Sequence, residues 1–342
     1  MSESPSPSRP CACCRRWSPQ AALAALRPRA IEQIVRAARS TDAVLRANAV
    51  EASAAIPDRA LPIVHLAIDD PIAPVRFAAL ATMGRMRLKS LVPVAEPRLL
   101  DDSEPVRAAA MFALYRCGAP VDITPMAKML MSRRPAMRGN VAMLLGRMGD
   151  ASAAPMLRDA ALRDGQKFDA STASGAMTPG AVSLAISRMQ IAEAMVLLGD
   201  RSALEPIRAA SVFAVSDEVR VLAVQMLGRL GDSEMERALL DMLGSVPPKP
   251  GGEPPEVQLA AAEALGRLDW TEGLRVVVAA ASDPSQTLRQ QAAMTLGVYR
   301  TDPRAVAALE KLLADPSPAV RLAAAAAVVG YDPRWTAADD GR

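Results

Sequence analysis

Apolar residues recur at intervals of three and four along most of the chain, the spacing that places them on one face of an α-helix. In one clear stretch, Val75, Ala79 and Met83 stand four residues apart and would form a single apolar stripe. Asp70, followed by a proline, comes just before this stretch, and that combination is typical of a helix start. Gly84 stands at the other end, where a left-handed backbone is often needed. The pattern predicts a helix that begins after Asp70 and ends near Gly84.

The same sequence motif recurs along the chain, and its most constant residue is an arginine. The first four of these repeat arginines are separated by 30, 31 and 31 residues. The repeat arginines are Arg46, Arg76, Arg107, Arg138, Arg220, Arg289 and Arg321. Two further units are placed on Ile191 and Gln258, each eight positions before a glycine. Repetition at this period indicates a solenoid, and we predict an all-α fold, an α-solenoid of about nine stacked antiparallel helix pairs.

The repeat arginines have two possible uses. In a stack of helix pairs, each would lie near the turn aspartates of its own and the adjacent unit, so that a row of ion pairs fixes how the units sit together. The alternative is a row of guanidinium groups that binds phosphate or carboxylate ligands. Because aspartates such as Asp70 already stand nearby in sequence, the structural interpretation is favoured.

Several of these segments resemble HEAT repeats, in particular the short bacterial class shared with phycobilisome-lyase-type proteins. They are DPIAPVRFAALATMGRM at 70–86, DSEPVRAAAMFAL at 102–114 and DPSPAVRLAAAAAVVG at 315–330. The resemblance extends over about residues 30–332. It implies a superhelical scaffold whose concave face binds another protein. Some members of the family act instead on bilins, on alkylated DNA bases, or as hydroxylases of a modified lysine.

The resemblance also implies that the arginine-bearing helices line the concave face. We expect positions one, two and five after each repeat residue to be exposed there, as an apolar wall suited to an amphipathic helix or an extended peptide. The candidate partner-binding residues are Phe77, Ala78, Ala81, Ala109, Phe112, Met143, Val221, Leu222 and Gln225. The alternatives are that tight helix packing buries these positions, or that the face serves self-association.

Two stretches interrupt the period of the repeats. Residues 163–183 are rich in Ser, Thr, Gly and Ala, and residues 244–256 are rich in proline. Insertions in repeat arrays often lie near binding surfaces, but they are also well tolerated as linkers. We expect a solenoid at 21–332, preceded by a disordered basic head at 1–20 and followed by a flexible tail at 333–342.

The net charge of +3 is concentrated at the N-terminal end, where the first 30 residues hold five arginines and one acid. The rest of the chain is close to neutral, so we expect no nucleic-acid partner, which would need clustered Lys and Arg. Cys11, Cys13 and Cys14 are close together, but a zinc site needs four ligands, and Cys117 and His65 are far away in sequence. We therefore expect no metal and no cofactor.

The chain offers little for catalysis. Its single histidine, His65, excludes the His–Glu pairs of a HEAT-type hydroxylase and leaves little for a Ser–His–Asp triad. Trp17, Trp270 and Trp335 are far apart in sequence, so no aromatic cluster for base excision is visible. We predict a non-catalytic protein–protein interaction scaffold. The second hypothesis is a bilin or tetrapyrrole lyase or chaperone, which shares these repeats; the scarcity of polar groups to orient a tetrapyrrole argues against it.

The sequence also gives expectations for location. No apolar run approaches the ~20 residues of a membrane span, and the first residues have no apolar stretch typical of a signal peptide. We expect a cytoplasmic protein, or an envelope-anchored one if the true start lies upstream.

Overall fold

The computed structural model describes residues 18–163, 178–244 and 252–333, and these contain eighteen α-helices and no strand. We number the helices in chain order. They are α1 Pro19–Ala37, α2 Ala43–Ala52, α3 Pro57–Ile68, α4 Ala73–Met86, α5 Val92–Ala95, α6 Glu104–Cys117, α7 Thr124–Leu130, α8 Pro135–Met148, α9 Ala154–Arg163, α10 Pro179–Leu197, α11 Leu204–Phe213, α12 Asp217–Leu230, α13 Glu236–Met242, α14 Pro255–Arg267, α15 Leu274–Ala280, α16 Gln286–Leu296, α17 Pro303–Leu312 and α18 Pro318–Val329. The prediction of an all-α solenoid of nine helix pairs is confirmed.

The helices form two layers. The even-numbered helices make the inner layer, in which each contacts the next even-numbered helix from α2 to α18. The odd-numbered helices pack on the outside of their partners. The third outer element is the most irregular, because the short α5 continues into a 3-10 helix at Glu96–Leu100. All of the repeat arginines lie on inner helices.

The stack closes into a ring. Helix α1 packs along α18 and also contacts α17, and α18 contacts α2. Leu26, Ala30 and Ile34 of α1 are buried in the same apolar cluster as residues of α17 and α18. Arg27 donates a hydrogen bond to the carbonyl of Val329 at 3.3 Å. The two ends of the described chain therefore share one core, a closure that the repeat pattern did not predict.

Helix α4 begins after Asp70, as predicted, but the Asp70 side chain does not cap it. The carboxylate of Asp70 accepts a hydrogen bond from the backbone N–H of Ile72 and two from Arg46. It therefore closes the turn before the helix rather than capping the helix itself, and α4 begins at Ala73. By contrast, Asp42 caps α2 directly, by accepting from the first backbone N–H groups of that helix.

The role predicted for Gly84 is wrong. Gly84 lies inside α4, and the residue with a left-handed conformation is Arg87, with φ of 52°. The absence of a side chain at Gly84 instead allows a close approach to the next inner helix, because a Cβ there would lie 2.5 Å from a ring carbon of Phe112. Gly228 has the same use, since its Cβ would lie 2.5 Å from the Cα of Ala264.

These glycine contacts also correct the alignment of the fifth unit. Gly146 of α8 faces Ala194 of α10. In the seventh and ninth units the alanine that faces such a glycine stands six positions after the repeat residue. Counting back from Ala194 places the repeat residue of α10 at Arg188, not at Ile191. The glycine used for the sequence alignment, Gly199, has φ of 100° and lies just beyond the end of α10.

The C-terminal part of each predicted insertion is helical. Helix α10 begins at Pro179 and α14 at Pro255, inside the stretches 163–183 and 244–256. A proline fits the first helical turn because its missing N–H would have no partner there. Pro19 and Gln20, the last residues of the predicted disordered head, belong to helix α1. Most of the rest of the predicted head, insertions and tail lies outside the described residues. The residues concerned are 1–17 with Cys11, Cys13, Cys14 and Trp17, then 164–177, 245–251, and 334–342 with Trp335.

Helix α10 modifies the expectation about membrane spans. By length and composition alone it is apolar enough to cross a membrane, and it is the one such helix among residues 18–163, 178–244 and 252–333. It packs between α8 and α12, as the other inner helices pack between their neighbours. It also carries Arg188 and Glu193 on its length. Its contacts are those of a core helix of the ring.

Candidate functional site

Three repeat arginines make paired hydrogen bonds to the aspartate of the next unit. Arg76 donates from Nε to Oδ2 of Asp101 at 2.8 Å and from Nη2 to Oδ1 at 2.7 Å. The equivalent pairs are Arg46–Asp70, at 2.7 and 2.9 Å, and Arg289–Asp315, at 2.8 and 3.2 Å. Each aspartate also accepts a hydrogen bond from a backbone N–H two residues further on, which fixes its turn.

A guanidinium nitrogen, Nη1, also holds the turn of the arginine's own unit, both in these three arginines and in others. Arg107 donates from Nη1 to the carbonyl of Asp101 at 2.7 Å, and Arg321 donates to the carbonyl of Asp315 at 2.7 Å. Asp101 therefore receives Arg76 on its carboxylate and Arg107 on its carbonyl. Arg46, Arg76 and Arg289 bind a carboxylate as well as a carbonyl, so their guanidinium groups are committed to the stack rather than free for anionic ligands.

The arrangement changes in the middle of the chain. Ser132 occupies the position of the turn aspartate in the fourth unit, and its carbonyl still accepts from Arg138 at 2.8 Å. Arg220 pairs with Glu253 at 2.7 Å where the other arginines bind the aspartate of the next unit, and it lies 3.6 Å from Asp217 of its own helix. Gln258, which replaces the arginine in the seventh unit, donates to the carbonyl of Glu253 at 3.0 Å. The glutamine keeps the backbone contact and loses the charge.

The ion pairs shift the acidity of the aspartates. Hydrogen bonds from the guanidinium groups lower the pKa of Asp70 and of Asp315, although burial acts in the opposite direction. In Asp101 burial is the largest influence and acts to raise the pKa. The hydrogen bonds from Arg76 and from the backbone N–H of Ser103 outweigh it, so the pKa is lowered. The folded protein therefore favours the ionised aspartates.

The candidate partner-binding residues fall into two groups. Ala78, Ala109 and Phe112 are buried, and their predicted exposure is wrong. Phe112 is 1% exposed because its ring fills the space above Gly84 of the preceding inner helix. The other six are half-buried: Phe77, Ala81, Met143, Val221, Leu222 and Gln225.

A second group of charged residues lies near the C-terminal ends of the inner helices. They are Glu51 of α2, Arg85 of α4, Arg147 of α8, Glu193 of α10, Arg229 of α12, and Glu263 and Arg267 of α14. Arg229 pairs with Glu193 at 2.8 Å, and Arg267 pairs with Glu263 at 2.8 Å. Our sequence reasoning missed this group. Its signal was the Gly–Arg dipeptide that ends four of the inner helices.

The segment after α18 enters this group of charges. Gly330, with φ of 83°, turns the chain out of the helix. The carboxylate of Asp332 then accepts from Arg267 at 3.0 Å, and its carbonyl accepts from Arg85 at 2.8 Å. The guanidinium of Arg85 lies 5.2 Å from the centre of the Tyr331 ring, a cation–π distance. The last described residues thus connect α4 and α14 across the ring.

The enclosure of these charges shifts their acidity. Burial lowers the pKa of Arg147, against the attraction of Glu193, but an arginine keeps its charge at any physiological pH. Enclosure raises the pKa of Glu51. The opposite influence comes from the charges of Arg147 and Arg85 and from the Tyr331 hydroxyl. Burial, with the nearby Glu51, raises the pKa of Tyr331, which keeps its phenol protonated. Glu51 is surrounded by protein but remains open to the water inside the ring.

A cavity of about 330 Å³ opens on the inner face between α2, α14, α16 and α18. The residues that line it include Asn48, Glu51, Gln290, Met294, Leu322 and Ala326. These six stand one, two or five positions after a repeat residue, so these positions do face the inside in the first, eighth and ninth units. None of the nine candidate partner-binding residues lines this cavity.

Groups that would support catalysis are few in the part of the chain that the structure describes. No cluster of three His, Cys, Asp or Glu residues there is arranged to hold a metal ion. His65 is exposed on the outer helix α3. Cys117 is buried, and burial raises the pKa of its thiol, which disfavours the reactive thiolate.

Comparison with known proteins agrees with the architecture. The family model for HEAT repeats matches residues 31–115 and 251–329. The chain therefore contains HEAT repeats in these two stretches. Among solved structures, human deoxyhypusine hydroxylase in complex with glycerol is similar at 20% identity, over 73% of this chain and 98% of that one, with a TM-score of 0.32. No curated protein matches the sequence.

Proposed function

We propose that the protein is a non-catalytic scaffold that binds another protein or a peptide on the inner wall of the ring. The inner wall is the set of side chains one, two and five positions after the repeat residues. The observation that carries the proposal is the half-buried state of its apolar members, among them Phe77, Met143, Val221 and Leu222. HEAT solenoids commonly serve as interaction scaffolds, and apolar surface that is left partly open usually has a use.

The closed ring restricts the kind of partner. Because α1 packs against α18, a partner has no open side through which to enter and must pass through one end of the ring. A single amphipathic helix or an extended segment fits this geometry better than a globular domain. The flexible side chain of Met143 would help the wall to adapt to the partner. A terminal segment of a second copy of the protein would meet the same requirements.

Affinity capture from the native cells with paired variants tests the proposal. The test variant combines Phe77→Glu with Leu222→Glu, and omits Phe112 because that residue belongs to the core. The matched control combines Leu66→Glu with Leu100→Glu, which are 68% and 88% exposed outside the inner wall. We expect a protein partner, identified by mass spectrometry, to be lost from the test variant and retained by the control.

Circular dichroism should show equal helicity and similar melting for both variants. If the wild-type protein and the test variant retain the same partners, the inner wall is not the binding surface. A visible absorbance band in protein purified from the native cells would favour the tetrapyrrole alternative instead.

A further inference from the structure

We infer that the inner cavity between α2, α14, α16 and α18 binds a small organic cation, an aliphatic amine whose ammonium group lies at Glu51. This site goes beyond the proposed scaffold function and uses different residues.

The cavity exists because small residues stand where large ones fill other units. The position five residues after the repeat residue is Phe112 in the third unit, where it fills the space above Gly84. In the ninth unit the same position is Ala326, which leaves room against α16 and α2. Met294, 53% exposed, stands at this position in the eighth unit and forms the opposite apolar wall. An aliphatic chain would lie between Ala326 and Met294.

The polar end of the cavity favours a cation. The charged residues in its lining are Glu51, Glu263, Asp269 and Asp332 against Arg267 and Arg300. The lining thus has an excess of acids, which Arg85 and Arg147 offset only from outside it. Arg267 already binds both Glu263 and Asp332, so its guanidinium is occupied by acids of the lining itself.

Glu51, which stands five positions after Arg46 and lines the cavity, is the carboxylate that we assign to the ammonium group. The Tyr331 hydroxyl beside this carboxylate is a neutral hydrogen-bond donor, and the two guanidinium groups that act on it, those of Arg85 and Arg147, lie outside the lining of the cavity. Glu51 is exposed to the interior of the ring. Enclosure acts to raise its pKa, and an ammonium group would remove that penalty by a charge-assisted hydrogen bond. Asn48 and Gln290 supply neutral hydrogen-bonding groups in the same lining.

Three probes that share one apolar body test the charge preference. Hexylamine, hexanol and hexanoate are titrated into the full chain with calorimetry and ligand-observed NMR, at about pH 8, well above the ordinary glutamate pKa of about 4.3. We expect hexylamine to bind about tenfold more tightly than either of the other two, because its ammonium group would pair with the Glu51 carboxylate. Glu51→Gln should remove that preference. The matched control is Glu310→Gln, at an exposed position on the outer helix α17, which should leave it unchanged.

A second pair of variants locates the site. Ala326→Leu should fill the cavity and abolish binding, and Met294→Phe should do the same at a more exposed position that tolerates a larger side chain. The proposal is overturned if hexanoate binds as well as hexylamine, if no probe binds, if the two glutamine variants behave alike, or if the filled variants still bind. Each result is independent of the scaffold function, because Phe77 and Leu222 do not line the cavity.

Discussion

The carboxylate of Asp101 is joined to the guanidinium of Arg76 by two parallel hydrogen bonds, and its own carbonyl is joined to Arg107 of the following helix. The side chains of Asp101 and Arg76 are 2% and 13% exposed. One aspartate thus connects two successive helix pairs of the ring. The arrangement recurs at Asp70 and Asp315, which explains why the arginine and the turn aspartate return together along the sequence.

Asp101→Asn should lower the free energy of unfolding by roughly 3 kcal/mol, because it leaves the enclosed guanidinium of Arg76 without its counter-charge. Asp102→Asn removes an equal charge from the adjacent, exposed residue and should change stability by less than about 0.5 kcal/mol. Urea unfolding followed by circular dichroism measures both. Equal effects of the two variants would show that the pair with Arg76 does not stabilise the stack.

The same aspartates should make the protein sensitive to acid. Their pKa values in the folded state are lowered, so their contribution to stability is complete above the unfolded-state pKa of about 3.9. It is lost as the pH falls through the lower folded-state pKa. We expect the urea midpoint to drop between about pH 4 and pH 2, and to drop less steeply in Asp101→Asn than in Asp102→Asn. Parallel curves for the two variants would contradict this assignment.

Gly228→Ala should destabilise the ring by about 1–3 kcal/mol, because the new Cβ would meet the backbone of Ala264 and push α12 away from α14. Gly180→Ala is the matched control. Its Cβ would meet nothing closer than the Thr178 hydroxyl at 4.0 Å, so the higher helix propensity of alanine should leave stability unchanged or raise it by up to about 1 kcal/mol. Thermal melting compares the two. The close-approach explanation fails if Gly228→Ala melts no lower than Gly180→Ala.

Ala30→Glu should open the ring, because Ala30 of α1 is fully buried in the core shared with α18. An unpaired carboxylate there costs several kcal/mol, and α1 should detach while the other pairs remain helical. Small-angle X-ray scattering should then give a larger radius of gyration. Ala25→Glu, at an exposed position of the same helix, should keep the wild-type scattering curve. An unchanged curve for Ala30→Glu would argue against closure through α1.

The spacing of the repeats predicted the structure correctly wherever the physical constraint acts between residues close in sequence. The recurrence of an arginine after a turn aspartate predicted the helix pairs and their number. It failed for Phe112, since one sequence position can face the inside in one unit and be buried in another, depending on the size of its neighbour. It also failed at α10, where Gly199 ends the helix and Arg188 rather than Ile191 occupies the repeat position.

Helix periodicity and turn chemistry act over a few residues, so the sequence by itself determined the all-helical class, the nine pairs and the row of arginines. Closure of the ring, the enclosed group of charges around Tyr331, and the cavity beside Glu51 join residues almost 300 positions apart, from α2 to the end of α18. Small rotations between successive pairs add up around the stack, and the sum decides whether the ends meet. A local sequence pattern does not reveal this accumulated rotation, so only the tertiary structure decided these features.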